Sequence, residues 1–318
     1  MKRTLCFLLG LSLIFCLFGC GEASQPATTV GEADPQIVDD KIPAAENVQD
    51  TVFYVGDTLT SNNMKMTYVA SGEHKENNQF LQPKDGNQYI YLTFYVENVA
   101  AKSDARISTF DFSCYADGYA CDQYYGGEND LSATLSAGRG TTGSVYFEIP
   151  VNAEEVEIEY ETNWLSSKKV TFVYEGEKDS GFVAEKNAVS SDGALSVGQS
   201  ATSSGLNINY LACYKDSSDN MFITPQNGHH YVTCEFEFEN TSNSDQYISS
   251  FSFDCYADGS SCEQAYFRDD AIDSTLSSGR KAKGTVTFEI PDDASVVEVE
   301  YLSNFWTSDR VVFDASGR

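Results

Sequence analysis

The sequence predicts an all-β protein made of two tandem β-sandwiches that follow an N-terminal export signal. Three observations predict it: the second half of the chain repeats the first, short segments alternate apolar with polar residues, and an apolar N-terminal run ends at a cysteine. Alternation with a period of two is typical of strands that bury one face. Turn-rich stretches separate these segments, and no longer window has a convincing helical period.

The N-terminus has the layout of a bacterial lipoprotein signal. Lys2 and Arg3 precede the apolar run 5–18, which is too short for a membrane-spanning helix. The run leads through Gly19 into Cys20 and resembles a lipobox, in which the small residue fits the signal peptidase and the thiol receives a diacylglycerol. We therefore expect a membrane anchor at Cys20, on the extracellular face of the cell membrane. The alternative is an ordinary secretory signal that happens to hold a cysteine near its end.

The segment after Cys20 predicts a flexible tether. Residues 21–50 hold no aromatic side chain but contain three prolines, so they cannot bury enough apolar surface to offset their conformational entropy. We expect five regions: a signal peptide (1–19), the lipidated cysteine and tether (20–50), a first sandwich (51–176), a linker (177–192) and a second sandwich (193–318).

An internal duplication is the most informative feature of the chain. The segment 56–98 matches 198–240, and after a one-residue deletion 107–150 matches 248–291 with 23 identities in 44 positions. This period is far longer than those of solenoid repeats, so the two copies are whole domains.

Alternating segments in both copies predict short antiparallel strands. In the first copy Ile90, Leu92, Phe94 and Val96 share one face, and the same spacing recurs through the remaining segments. Seven or so short strands per domain are typical of a β-sandwich. The alternation places two pairs of phenylalanines inward, Phe110 with Phe112 and Phe251 with Phe253.

A family resemblance follows from the residues shared by the copies. The pattern Gly86-x-x-Tyr89, Glu97-Asn98, Phe110-x-Phe112, Asp117-Gly118, Leu135-x-x-Gly138 and Gly143-x-Val145-x-Phe147-Glu148-Ile149-Pro150 resembles an uncharacterised domain common in lipoproteins of Gram-positive bacteria. The resemblance implies an immunoglobulin-like sandwich, similar to a secreted mycobacterial immunoprotective antigen. It brings no catalytic residues.

The cysteines of the two domains predict disulfides. Six remain after the signal and the lipid site: Cys114, Cys121, Cys213, Cys234, Cys255 and Cys262. The pairs 114/121 and 255/262 bracket Asp-Gly, the preferred two-residue hairpin turn, so each pair is expected to face across a hairpin at disulfide distance. Even numbers of cysteines in exported proteins usually form disulfides.

Cys213 and Cys234 have no cysteine counterparts in the first domain, which holds Ser71 and Leu92 there. Their joint presence predicts a third bridge. Strict alternation points Cys213 outward, so the bridge requires a strand end or a bulge nearby. A metal site is the rival interpretation, but zinc ligands are usually spaced more tightly than C-x6-C.

Charge and motifs exclude several functions. With 48 Asp and Glu against 20 Lys and Arg, the net charge of −28 disfavours nucleic-acid binding. No nucleophile elbow, phosphate loop or EF-hand loop is present, so we expect no cofactor, no metal and no enzymatic activity. The less favoured alternatives are a weak calcium site among loop acids, formed either by Asp269, Asp270 and Asp273 or by Glu128 and Asp130, and a ligand role for His229-His230.

Two further sets of residues are candidates for contacts. Arg139 and Arg280 recur in Leu-Ser-x-Gly-Arg, and we expect each to pair with a carboxylate and hold a loop. Tyr89, Tyr91 and Tyr95 lie on one face of a strand and are the candidate contact with a partner, because tyrosine suits interfaces. Packing of loops on the sheet is the alternative.

The sequence thus favours a non-enzymatic, membrane-anchored extracellular lipoprotein that binds an unidentified ligand or serves a structural role. The alternatives are an accessory or sensor subunit of an envelope enzyme or transporter, with an envelope protein as partner, and a hydrolase that uses acidic loop residues.

Overall fold

A computed structural model describes residues 52–163, 168–186, 193–218, 220, 223–304 and 307–318. The predicted signal peptide, Cys20 and the tether lie outside the described residues. Within the described part of the chain, no helix is long and apolar enough to cross a membrane.

The first domain consists of β-strands and one short 3₁₀ helix, Thr109–Asp111. Its strands are β1 (Val52–Phe53), β2 (Thr58–Ser61), β3 (Met64–His74), β4 (Asn87–Asn98), β5 (Ala105–Ile107), β6 (Phe112–Ala116), β7 (Tyr119–Gln123), β8 (Ala133–Leu135), β9 (Gly140–Pro150), β10 (Val156–Asn163), β11 (Lys168–Val173) and β12 (Lys178–Asp179).

The second domain repeats the order of β2 to β11, again with one short 3₁₀ helix, Ser250–Ser252. Its strands are β13 (Ser200–Ser203), β14 (Leu206–Asp216), β15 (His229–Asn240), β16 (Gln246–Ile248), β17 (Phe253–Ala257), β18 (Ser260–Cys262), β19 (Gln264–Ala265), β20 (Ser274–Leu276), β21 (Lys281–Pro291), β22 (Val297–Asn304) and β23 (Asp309–Asp314).

Each domain is a sandwich of two mainly antiparallel sheets, as predicted. In the first domain one sheet has the order β2-β3-β4-β9 and the other β1-β11-β10-β6, with β7 pairing to both β6 and β9. The second domain has the sheets β13-β14-β15-β21-β19 and β18-β17-β22-β23. The alternating residues of the long strands face inward, so each domain has its own apolar core.

The two sandwiches belong to one compact unit and share sheet edges. β18 of the second domain meets β9 of the first at the parallel pair Ser260–Gly140. The Tyr256 ring, from β17, is buried and packs with the core of the first domain.

Two hairpins and a bulge behave as the repeat predicts. Asp117 and Gly118, like Asp258 and Gly259, have positive φ angles, which the two-residue hairpin turn requires. In β14 the register shifts between Tyr210 and Ala212, and this bulge is the irregularity that the predicted cysteine pair needs.

The predicted inward position of Phe110 and Phe251 is wrong. Their strands begin only at Phe112 and Phe253, because the preceding residues form the 3₁₀ helices, where a period of two no longer holds. As a result Phe112 and Phe253 are buried, whereas Phe110 and Phe251 are 74% and 77% exposed.

Candidate functional site at the domain junction

A buried arginine joins the two domains. Arg139 ends the turn between β8 and β9, and its side chain lies against the outward face of β22 in the second domain. Its Nε donates to Oε1 of Glu300 at 3.0 Å, and its Nη2 donates to Oε2 of Glu298 at 2.5 Å and to Oε1 of Glu300 at 2.8 Å. The guanidinium also lies over the Tyr256 ring, 4.7 Å from its centroid.

The strand pattern explains why two glutamates meet one arginine. Glu298 and Glu300 are separated by one residue, so they point to the same face of β22, while the alternate residues enter the core. Their side chains are 1% and 5% exposed, and that of Arg139 is 9% exposed. Buried charges of this kind persist only when they are paired and hydrogen-bonded.

A second arginine reinforces the junction from the other side. Arg310, on β23, donates from Nη1 and Nη2 to the two carboxylate oxygens of Asp104 at 2.7 and 3.1 Å. Its Nε lies 3.2 Å from Oε2 of Glu300, and its Nη2 lies 3.7 Å from Oδ2 of Asp254. Glu300 is therefore shared between the arginines of the two domains.

Neutral hydrogen bonds complete the contact. The amide of Gly140 donates to the carbonyl of Gly259 at 3.1 Å, and Oγ of Ser261 donates to Oγ1 of Thr141 at 2.6 Å. The Tyr256 hydroxyl accepts from the amide of Ser136 at 3.3 Å. Backbone and side chains together hold the domains at one orientation.

The recurring arginines thus differ from each other. Arg139 pairs with carboxylates as predicted, but these belong to the other domain rather than to its own loop. Arg280 is exposed, and within the described residues it forms no ion pair. Nothing in the sequence distinguishes Glu298, Glu300 and Arg310 as junction residues, because their first-domain counterparts carry charges of the same sign.

A cleft of about 870 Å³ opens beside this junction, between the two domains. Its wall contains Asp130 from the first domain and Glu263 and Glu289 from the second, together with the exposed rings of Phe251 and Tyr266. Burial raises the pKa of Asp130, and burial together with the charges of Glu289 and Asp130 raises the pKa of Glu263. Carboxyl groups with a raised pKa in a cleft are typical of binding and catalytic sites.

The six cysteines form the three predicted pairs in the register of the strands. Cys114 lies opposite Cys121, Cys255 opposite Cys262, and Cys213 opposite Cys234. All six are free thiols in the structure. Cys234 donates a hydrogen bond from its Sγ to the Sγ of Cys213 at 3.4 Å, and this bond is the main cause that lowers the pKa of Cys213 to about 7.

The tyrosine face is largely covered from within the first domain. Tyr89 is buried and stacks on Tyr124, with ring centroids 4.0 Å apart. Tyr91 and Tyr95 are half-buried, beside Tyr146 and Phe182 respectively. Loop packing therefore accounts for Tyr89, and contact of Tyr91 and Tyr95 with a partner stays a prediction.

His230 and two of the loop acids, Asp270 and Asp273, have structural partners. His230 is buried, with Nδ1 2.7 Å from Oδ1 of Asp292 and Nε2 3.0 Å from the carbonyl of Arg318. Arg268 holds both carboxylate oxygens of Asp270 at 2.8 Å. Asp273 accepts from Ser249 and Ser250. The part of the chain that the structure describes contains no group of three or more His, Cys, Asp or Glu side chains arranged to hold a metal.

Comparison with protein families identifies the two domains. The family model described as domain of unknown function DUF4352 matches twice, over residues 53–170 and 195–311. The chain therefore belongs to this family and carries two of its domains. No curated protein matches the chain significantly.

Three solved structures to which the chain is similar each cover less than half of it. The yjhA protein of Bacillus subtilis is 14% identical, covers 37% of this chain and 97% of its own, with a TM-score of 0.31. The secreted protein MPT63 of Mycobacterium tuberculosis is 12% identical. The match covers 40% of this chain and 98% of MPT63, with a TM-score of 0.31. An uncharacterised β-sandwich protein from Clostridium difficile is 13% identical. The match covers 43% of this chain and 99% of that protein, with a TM-score of 0.25.

The paired positions of the cysteines generate a prediction about oxidation. Exported thiols that face each other across neighbouring strands are expected to form disulfides in an oxidising compartment. The unreduced protein should be lighter than the reduced protein by two hydrogen atoms for each of three bridges, as measured by intact mass. Loop-closure entropy predicts a stability gain of about 2.5 kcal/mol for each hairpin bridge and about 3.4 kcal/mol for the third. Alkylation of all six thiols without reductant would contradict this expectation.

The burial of Arg139 predicts a large effect of its removal. Arg139→Ala leaves Glu298 and Glu300 buried without their main cation, so we expect a loss of about 3–5 kcal/mol in the free energy of unfolding. Chemical denaturation followed by tyrosine fluorescence measures this loss. The matched control is Arg280→Ala, which should change stability by less than about 0.5 kcal/mol because its side chain is exposed. Equal losses of stability in the two variants would contradict the expectation that the buried ion pairs of Arg139 stabilise the folded protein.

Asp254 generates a prediction about pH. Burial raises its pKa to about 6, despite the opposing effect of Arg310. The folded state therefore holds a proton that the unfolded state loses, so this group's contribution to stability falls as pH rises from about 4 to about 6. In Asp254→Asn that fall is absent, and the stability of the variant relative to wild type should increase by about 1–2 kcal/mol between pH 4 and 7, allowing for partial exposure. Melting curves across this pH range measure the difference in stability between the variant and wild type. The control is Asp269→Asn, since Asp269 is exposed. A stability difference for Asp254→Asn that does not change with pH would refute the expectation.

Proposed function

We propose that the protein is a non-enzymatic lipoprotein, anchored through Cys20 at the extracellular face of the membrane, whose interdomain cleft binds a partner with positive charge and an apolar face. The lipobox and the export signal support the location. The juxtaposition of an exposed aromatic pair with carboxylates in the cleft supports the binding role.

Two aromatic rings of the second domain are exposed to solvent in the cleft. The rings of Phe251 and Tyr266 lie 5.8 Å apart and are 77% and 60% exposed. The first domain repeats the pair as Phe110 and Tyr125, 5.7 Å apart and 74% and 56% exposed. Neither pair contributes to a core, so stability gives no reason for both copies to have these rings. Exposed apolar groups rimmed by polar residues are typical of interaction sites.

The local structure holds these rings outward. Ser249 caps the 3₁₀ helix Ser250–Ser252 by accepting from the amide of Phe251. Asp273 binds Ser249 and Ser250 from the side, and the Tyr266 hydroxyl donates to Oε1 of Gln264 at 2.8 Å. A ligand would therefore meet aromatic rings that are already fixed, at a small entropic cost.

The carboxylates determine the expected charge of the ligand. Asp130, Glu263 and Glu289 line the cleft beside the rings, and burial already disfavours the charge on the first two. A bound cation would favour the ionised form of these carboxylates. Basic peptide segments with aromatic or aliphatic residues have both required properties. Such a segment on an envelope protein would also suit the accessory or sensor role.

A hydrolase is the second candidate, because a carboxyl group with a raised pKa could act as a general acid. The same carboxyl groups serve a binding cleft equally well, and the aromatic pair has no role in proton transfer. Turnover of a bound ligand would distinguish hydrolysis from binding.

The repeated aromatic pair provides a controlled test of the proposal. Isothermal titration of short peptides with alternating lysine and aromatic residues should show binding that weakens at least about tenfold in Phe251→Ala and in Tyr266→Ala, because a buried aromatic contact is worth more than about 1.4 kcal/mol. The matched variants Phe110→Ala and Tyr125→Ala lie outside this cleft and should retain most of the affinity. Equal losses in both pairs, or no binding of any basic peptide, would contradict the proposed site.

A further inference from the structure

We propose that the protein associates head to tail with a second copy of itself, through the same contact that joins its two domains. The in-chain junction brings together two different surfaces: a docking turn of the first domain (136–140) and an acceptor face of the second, formed by Tyr256, Glu298, Glu300 and Arg310. Because the chain is a duplication, each domain carries both surfaces. One docking turn and one acceptor face therefore remain unused in each chain.

The unused docking turn (277–281) is built like the one in the junction. Gly279 has a φ of +73° and its counterpart Gly138 a φ of +75°. The amide of Asn240 donates to the carbonyl of Arg280 at 2.9 Å, and the amide of Asn98 donates to that of Arg139 at 2.8 Å. The same backbone thus presents Arg280, but into solvent.

The unused acceptor face has the matching residues at the matching register. Tyr115 pairs with Glu157 across β6 and β10 as Tyr256 pairs with Glu298 across β17 and β22. The remaining positions correspond in type as well, with Glu159 and Lys169 in the places of Glu300 and Arg310. Within the described residues these side chains are half-buried or exposed, so the face is open to a partner.

The charges on the two unused surfaces are complementary. Nζ of Lys169 lies 2.7 Å from Oε2 of Glu159, as Arg310 lies beside Glu300 in the junction. Asp104, the partner of Arg310, has an exposed counterpart in Asp245. In the contact between copies, Arg280 would meet Glu157 and Glu159, and Asp245 would meet Lys169. Arg280 and Asp245 of one surface would thus each face an opposite charge of the other.

Three differences make the contact between copies weaker than the junction. Ala120 and Ala282 replace Ser261 and Thr141, so one side-chain hydrogen bond is lost. Lys281 replaces Gly140 at the strand edge. The copies also lack a covalent link, so their effective concentration is that of free molecules. Because its acceptor side chains are partly exposed, the contact should be sensitive to salt.

The contact would repeat along an assembly. Two different surfaces meet, so the association is heterologous and leads to a ring or an open filament, according to whether the rotation closes. Each new contact would place Phe110 and Tyr125 where Phe251 and Tyr266 lie in the existing cleft. The unused aromatic pair would thereby acquire a cleft of its own.

Sedimentation velocity of the mature chain carrying Cys20→Ser, which takes no lipid, tests the association. The average mass should rise with concentration at low salt and fall when salt is added. Arg280→Glu reverses the charge of the docking turn, and the double variant Glu157→Arg/Glu159→Arg reverses the charges of the acceptor face. Each variant alone should associate at least about tenfold more weakly than the parent chain, and so stay monomeric at concentrations where the parent chain associates. Lys283→Glu, an equal charge change on β21 outside the contact, should associate like the parent chain.

Mixing the two monomeric variants gives the decisive result. The intact Arg280 turn of the double variant can bind the intact acceptor face of Arg280→Glu, and the reversed charges on the other two surfaces are complementary as well. The mixture should therefore regain association, in assemblies that alternate the two variants. Circular dichroism and melting curves establish that both variants are folded. A parent chain that stays monomeric up to about 1 mM, the weak end of specific association, overturns the proposal. So does a mixture of folded variants that stays monomeric, or association that neither variant weakens.

Discussion

The interaction on which the structure depends is the burial of Arg139 between two glutamates of the other domain. Removing three charged side chains from water is costly, and the close hydrogen bonds to Glu298 and Glu300 offset that cost only while all three groups keep their positions. A small rotation of one domain would leave a charge buried without its partner. The contact therefore selects one orientation of the domains, even where its net contribution to stability is modest. The cleft and its carboxylates exist in their observed form because this orientation is held.

Duplication gives the two domains equivalent residues, but in the tandem chain only one of each equivalent set lies in the junction. One arginine of the Leu-Ser-x-Gly-Arg repeat is buried in a junction, whereas Arg280 faces solvent. The glutamate pairs likewise divide into a buried pair and a more exposed one. The identity of a residue in a repeat therefore does not determine its role, because the role depends on whether another domain covers it. The uncovered set is either idle or used by another molecule.

Sequence patterns predicted the features that depend on local geometry. The alternation gave the long strands, and Asp-Gly with the duplication gave the register of Cys114 with Cys121 and of Cys255 with Cys262. Even the bulge before Cys213 followed from a conflict between alternation and pairing. Phe110 and Phe251 were misplaced because a single 3₁₀ turn interrupts the period of two. The tyrosine face was only partly foreseen, since nothing in the strand pattern shows that Tyr124 covers Tyr89.

The junction could not be predicted, because it depends on which outward face a second domain covers. Glu157 and Glu159 have the same spacing as Glu298 and Glu300, and no local property distinguishes them. The direct measurement is backbone amide NMR relaxation of the two-domain protein, which reports how each domain tumbles. If the Arg139 contact holds the domains together, one rotational diffusion tensor fits the amides of both. Separate tensors, with faster tumbling for each domain than for the whole, would contradict this account.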